Sequence, residues 1–187
     1  MRMAHVSIAV FATFCSSMVI GATPWESYVA VPSPQRAKLV KEPTYSTVVP
    51  PVTNGPSRLE QDLRVLGEQI RAGDTEAFYL GLRLRKASAV DGALGEFLDF
   101  TVADFLRVRP ATFLTGLSKY GTPNCEEAVY TDPDIYADRF GTQAYEMRRR
   151  LEAVATSKDK RLVKMRELCT QRLREEISTA ESHADSP

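Results

Sequence analysis

Proline placement is the feature that most constrains this chain, because seven of its eleven prolines lie between residues 23 and 57. Each proline fixes φ, lacks an N–H donor and biases the residue before it towards extended backbone. Such a stretch is unsuited to a helix interior or a central strand. We therefore expect residues 23–57 to form a disordered, polyproline-like linker. It would serve as a spacer, as a peptide docked by a partner, or as an unstructured leader.

Residues 1–22 have the composition of an export signal. Arg2 supplies a positive charge, residues 6–20 are mainly apolar, and Gly21 and Ala22 end the segment with small side chains. Small side chains let the extended backbone enter the groove of a signal peptidase. The pattern predicts cleavage after Ala22 and an exported protein, either periplasmic or secreted.

Three alternatives remain for this segment. Residues 4–22 approach the length of about 20 that spans a bilayer, so an uncleaved segment would tether the protein to a membrane. Cys15 is a candidate for lipidation, although the residue before it is the bulky Phe14. The segment could also be a buried N-terminal helix of a cytosolic protein.

From Ser57 onwards the pattern is helical. Ser57 and Glu60 match a capping box, and apolar residues then recur every three to four positions. Similar stripes follow the Gly73-Asp74 pair and Pro110, and short connections favour antiparallel neighbours. We predict an all-α fold, a compact antiparallel array of about six helices over residues 58–178. A loop at 121–131 and a disordered tail at 179–187 complete the prediction.

Three short motifs carry a resemblance to a known architecture. They are Gly73-Asp74-Thr75-Glu76-Ala77, Asp91-Gly92-Ala93-Leu94, and Pro110 with Phe113-Leu114. Residues 58–120 resemble the short helical pairs of HEAT-like domains, and also small exported bacterial proteins of unknown function. The resemblance implies paired helices and a tendency to bind proteins. It implies no active-site residue.

Several chemistries are excluded by the placement of histidine. The two histidines, His5 and His183, lie near the two ends, so the body of the chain cannot supply a Ser-His-Asp triad or a His-ligated zinc site. The acidic run that starts at Asp132 has Ala137 where a calcium loop needs glycine, and Asp132 is better explained as a helix cap. We expect no cofactor and no metal site.

Cysteine parity predicts a disulfide. Cys15 leaves with the export signal, which leaves Cys125 in the long loop and Cys169 on the apolar stripe of the last helix. An even number of cysteines in an oxidising compartment favours pairing, so we expect a Cys125–Cys169 bridge. Two unpaired buried thiols are the alternative.

Charge is balanced overall but unevenly distributed. The formal charge of zero argues against a nucleic-acid binder. Residues 88–140 carry nine acidic and four basic groups, and residues 141–176 carry six acidic and ten basic groups. The two segments either neutralise each other in the fold or form separate surfaces for different partners. The basic candidates for an interaction surface are Arg148, Arg149, Arg150, Lys158, Lys160, Arg161 and Lys164.

These observations lead to one functional expectation and two alternatives. We expect an exported, non-enzymatic helical domain that binds an unidentified protein partner, with its oligomeric state open. Glu96, Asp99 and Asp104 are candidates for the carboxylates of a cell-wall hydrolase, since such enzymes use paired carboxyl groups. A membrane-tethered scaffold is the third possibility, if the N-terminal segment is not cleaved.

Overall fold

The computed structural model describes residues 21–46, 55–87, 90, 92–131 and 140–184. This part of the chain contains eight α-helices, two short 3-10 turns and no strand, which confirms the all-α prediction. Residues 1–20 of the predicted export signal (1–22) and the acidic run at 132–138 lie outside it. The helices are α1 Pro24–Ala30, α2 Pro34–Leu39, α3 Arg58–Arg71, α4 Thr75–Lys86, α5 Gly92–Val108, α6 Pro110–Tyr120, α7 Phe140–Thr156 and α8 Val163–Ala184.

Side-chain caps start helices α3 and α4. Ser57 Oγ accepts the Glu60 N–H at 3.1 Å, and Asp74 Oδ1 accepts the Ala77 N–H at 2.8 Å. The capping box at Ser57 is only half formed, because the Glu60 carboxylate binds Arg64 Nη2 at 2.9 Å instead. Caps of this kind satisfy N–H groups that have no partner within the helix.

The prediction of a linker over residues 23–57 is wrong for the described part of that range. Pro24 and Pro34 each occupy the first turn of a short helix, capped by Thr23 and Ser33 respectively. Proline is tolerated there because its missing N–H would have no helical partner. The same reasoning that placed a helix at Pro110 therefore applies to these two prolines.

Buried aromatic side chains attach this N-terminal segment to the rest of the protein. Trp25 and Tyr28 on α1 are fully buried within the hydrophobic core. Trp25 Nε1 lies 3.2 Å from both the Tyr45 hydroxyl and Asp62 Oδ2, and that hydroxyl donates to Asp62 at 2.8 Å. Because Asp62 belongs to α3, the segment is part of the domain rather than a spacer before it.

A cluster of stacked phenylalanines forms the centre of the core. The Phe78 ring on α4 stacks on Phe105 of α5 at 4.1 Å between centroids and lies 5.6 Å from Phe113 of α6. Helix α6 approaches α4 closely at Gly116, where an added Cβ would stand 2.5 Å from Phe78 Cε1. The absence of a side chain at this position is what allows the two helices to pack.

The predicted disulfide is confirmed. Cys125 and Cys169 are bonded, with their Cα atoms 5.1 Å apart, and so connect the loop after α6 to helix α8. The two cysteines are 44 positions apart in the sequence. In the chain-entropy model, closure of such a loop stabilises the fold by about 4 kcal/mol.

The C-terminal helix is longer than the sequence analysis predicts. Helix α8 runs from Val163 to Ala184 and packs along α7, so a disordered tail beginning at residue 179 is wrong as far as Ala184. Ala180 is only 3% exposed, and its burial explains why the helix continues past the predicted end. His183 therefore lies in the last helical turn.

The burial of Trp25 generates a direct test of the N-terminal segment. We expect Trp25→Ala to lower the free energy of unfolding by about 3–5 kcal/mol, the usual cost of removing a large buried aromatic side chain. Val31→Ala, at the end of the same helix, is the matched control because Val31 is 57% exposed. Chemical denaturation followed by far-UV circular dichroism measures both. Equal free energies of unfolding for Trp25→Ala and Val31→Ala would show that the segment is a linker.

Candidate functional site

A buried arginine, Arg150, lies where α5 and α7 meet the loop after α6, which carries Cys125 and is called the disulfide loop below. Arg150 is only 2% exposed, and its Nη1 donates to the carbonyl oxygens of Ala128 at 3.0 Å and Tyr130 at 2.6 Å. Its Nε donates to Glu146 Oε1 at 3.2 Å, one helical turn earlier on α7. A guanidinium can be buried only when charges and hydrogen-bond acceptors compensate for the water it loses. Arg150 therefore ties the loop to α7.

Glu146 and Asp104 are the two carboxylates that contact the arginines of this region. The Glu146 side chain is 5% exposed, and both its oxygens lie 3.1 Å from Arg107 Nη1. Asp104 Oδ1 is 3.4 Å from Arg150 Nη2, and Asp104 Oδ2 is 3.8 Å from Arg71 Nε. Burial raises the pKa of Asp104 above its usual range, an effect that Arg150 and Arg71 only partly offset.

An open groove of about 500 Å³ lies beside this network. Helix α3 contributes its last residue, α5 contributes its last turn, and α7 contributes one face through residues at intervals of three and four. Arg71 and Arg107 lie near the C-terminal ends of α3 and α5, where a positive charge complements the negative end of the helix dipole. The lining residues are Arg71, Asp104, Arg107, Val108, Arg149, Glu152, Ala153 and Thr156.

The groove has an excess of positive charge. Three arginines line it against two carboxylates. The side chains of Arg71 and Arg107 are 48% and 38% exposed, so their guanidinium groups reach solvent. Arg149 is exposed, and its guanidinium lies 5.9 Å from the centre of the Tyr145 ring. Guanidinium groups with free donors bind carboxylates in paired hydrogen bonds, so the arrangement favours an anionic ligand.

The seven basic residues predicted as an interaction surface do not stay together. Arg149 lines the groove, whereas Arg150 is buried, so its assignment to a surface is wrong. Arg148 is exposed and paired with Glu181. The remaining four are exposed at the turn between α7 and α8 or at the start of α8, outside the groove: Lys158, Lys160, Arg161 and Lys164.

The three carboxylates considered for a hydrolase have separate surroundings. Glu96 is exposed on α5, and Asp99 Oδ2 is held by Arg85 Nη2 at 2.7 Å. Burial raises the pKa of Asp99, although Arg85 lowers it in part. Only Asp104 lines the groove. The structure therefore does not bring these three groups together in that groove.

Sequence reasoning missed Arg71 and Arg107. Each stands in the last turn of its helix, a position where cations are common because they complement the dipole. That local signal carries no information about the other helices. Only the packing of α3 on α5, and of α5 on α7, brings these two side chains near Arg149.

Comparison of the chain with protein-family models, curated proteins and solved structures finds no match. The resemblance of residues 58–120 to HEAT-like helical pairs stays a prediction. Among the described residues, no group of three or more His, Cys, Asp or Glu side chains is arranged to hold a metal ion. No helix in the same part of the chain is both long and apolar enough to span a membrane.

The contribution of the buried Arg150 to stability can be compared with that of the exposed Arg148. Arg150→Met should lower the free energy of unfolding by about 3–5 kcal/mol, since it leaves the carbonyls of Ala128 and Tyr130 without this donor and Glu146 with Arg107 alone. Arg148→Met is the matched control, because the Arg148 side chain is 52% exposed and a surface ion pair contributes about 1 kcal/mol at most. Thermal and denaturant unfolding measure both variants. Similar losses in the two variants would contradict the role of Arg150.

Proposed function

We propose that this chain is an exported, non-enzymatic helical protein whose groove between α3, α5 and α7 binds an acidic segment of a protein partner. The observation that carries the proposal is the three arginines, Arg71, Arg107 and Arg149, on one groove with only two carboxylates. Export rests on the composition of residues 1–22, and the disulfide between Cys125 and Cys169 is in keeping with an oxidising compartment.

The groove suits a peptide better than a nucleic acid. Val108, which is 48% exposed, and Ala153 offer apolar contacts for a peptide side chain beside the arginines. Asp104 and Glu152 would face the phosphates of a nucleic acid and repel them. An acidic peptide can place its carboxylates at the arginines and leave apolar residues opposite the two carboxylates.

The arginines differ in how firmly they are held. Arg107 is engaged by the buried carboxylate of Glu146, which fixes its position. The Nε atom of Arg71 lies 3.8 Å from Asp104, and its Nη2 lies 3.5 Å from Thr101 Oγ1, both long contacts. Among the described residues Arg149 makes no ion pair. Arg149 and Arg71 are therefore the donors most available to a ligand.

A labelled oligoglutamate peptide tests this function. We expect Arg149→Gln to weaken its binding about threefold to tenfold, because the variant removes one charged contact without stranding a buried carboxylate. Arg64→Gln on α3 is the matched control, since Arg64 is 62% exposed and lies outside the groove. Fluorescence anisotropy measures both affinities, and added salt should weaken them.

Two results would contradict the proposal. One is an oligoglutamine peptide that binds as tightly as oligoglutamate, since the groove would then not be selecting negative charge. The other is single-stranded DNA that binds more tightly than oligoglutamate and loses affinity with Arg149→Gln, which would make nucleic acid the occupant.

A further inference from the structure

Thr23 is the N-cap residue of helix α1. The Thr23 N–H donates to Glu26 Oε2 at 3.0 Å, and the Glu26 N–H donates to Thr23 Oγ1 at 3.1 Å, the reciprocal pair of a capping box. Two residues earlier, Gly21 is exposed with φ +110°, and no described atom lies within 4 Å of where its Cβ would stand. Gly21, next to Ala22, is therefore exposed, and Ala22 is partly buried.

Glu26 collects donors from three parts of the chain. Besides Thr23, its Oε2 accepts the Ser46 N–H at 3.1 Å, and its Oε1 accepts Arg58 Nη2 at 3.0 Å. Its side chain is only 11% exposed. The hydrogen bond from the Thr23 backbone, followed by those from Ser46 and Arg58, lowers the pKa of Glu26 to about 2. Glu26 is thus a partly buried anion across the physiological range.

We propose that a signal peptidase hydrolyses the Ala22–Thr23 bond and that Glu26 then holds the new α-ammonium group of Thr23. One water adds across the bond, so that Ala22 leaves as a carboxylate and Thr23 keeps the nitrogen as an ammonium. The nitrogen that donates to Glu26 as an amide becomes a cation next to the same carboxylate. Processing therefore adds an ion pair that the precursor lacks.

This inference rests on the export signal proposed above and is independent of the groove. The charged and titratable groups that face this point from α3 and the segment before it are Arg58, Asp62 and Tyr45. Arg58 and the positive end of α1 oppose a new cation, whereas Glu26 attracts it. Removal of the Glu26 charge should therefore take away the carboxylate that accepts the Thr23 N–H, and leave Asp62 as the other carboxylate that faces this point.

The ion pair predicts a specific dependence on pH. An ammonium that gains a partner on folding holds its proton more tightly in the folded state than in the unfolded state. The stabilisation is complete below the usual α-amino value of about 7.7–8.0 and is lost as the pH rises through the higher folded value. A chain with a different first residue should lack this component.

The first experiment compares the chain that starts at Thr23 with one that starts at Gly21, both with the disulfide intact. Trp25 is the only tryptophan, so its fluorescence reports the docking of α1, and circular dichroism reports global unfolding. Between about pH 6.5 and pH 9.5, the folding constant of the Thr23 chain should fall about threefold to tenfold more than that of the Gly21 chain. Equal pH dependence in the two chains would overturn the proposal.

Glu26→Gln in the Thr23 chain separates the ion pair from other effects of chain length. The extra fall in the folding constant at high pH should disappear in this variant, and persistence of the fall would overturn the assignment to Glu26. If the variant is too unstable to measure, the comparison of the two starting residues still decides the proposal.

The second experiment uses the full chain, expressed with residues 1–22 in a secreting bacterium. Intact mass and N-terminal sequencing of the exported protein should give Thr23 as the first residue. Another first residue would contradict this processing site while leaving export in place. Retention of residues 1–22 inside the cell would contradict export itself, and neither result bears on peptide binding by the groove.

Discussion

The buried guanidinium of Arg150 is the interaction on which the contact between α5, α7 and the loop that carries Cys125 depends. Its partners come from α5, from α7 and from two carbonyls of the loop that carries Cys125. A buried charge of this kind is costly unless all its partners are in place, so it makes one arrangement of loop and helices strongly preferred. The disulfide restricts the distance between loop and α8, and Arg150 adds the orientation of the loop on α7.

The same interaction explains how the net charge of zero is distributed. Asp104 in the acidic segment, residues 88–140, pairs with Arg150 in the basic segment, residues 141–176. Arg107 of the acidic segment pairs with Glu146 of the basic segment. Part of the acidic and basic excess is thus neutralised across the interface between α5 and α7. Arg149, one of the remaining basic residues, lies at the groove beside Arg71, and these two side chains are held less firmly than the buried pair.

Sequence reasoning succeeded where the signal is local or follows from an even number of cysteines. The caps at Ser57 and Asp74 and the Cys125–Cys169 bridge are of this kind. It failed for the N-terminal segment because proline was treated only as a breaker of helices, although Thr23-Pro24 is also a helix start. Consecutive residues of a helix point about 100° apart, so Arg148, Arg149 and Arg150 cannot all face the same way. Which arginine turns inward depends on tertiary packing, which no local pattern encodes.

The two segments that sequence reasoning placed least well are held by similar means. Helices α1 and α2 have seven and six residues, too few to be stable alone, since isolated helices need about 12–15 residues. Their attachment depends on Trp25 and on the donors gathered by Glu26, as that of the loop depends on Arg150 and the disulfide. The ion pairs and hydrogen bonds of Glu26 and Arg150 depend on the charges around them, whereas the packing of the phenylalanine cluster around Phe78 does not. Changes in pH, in the N-terminal residue or in a bound anion should therefore alter these attachments before they alter the core.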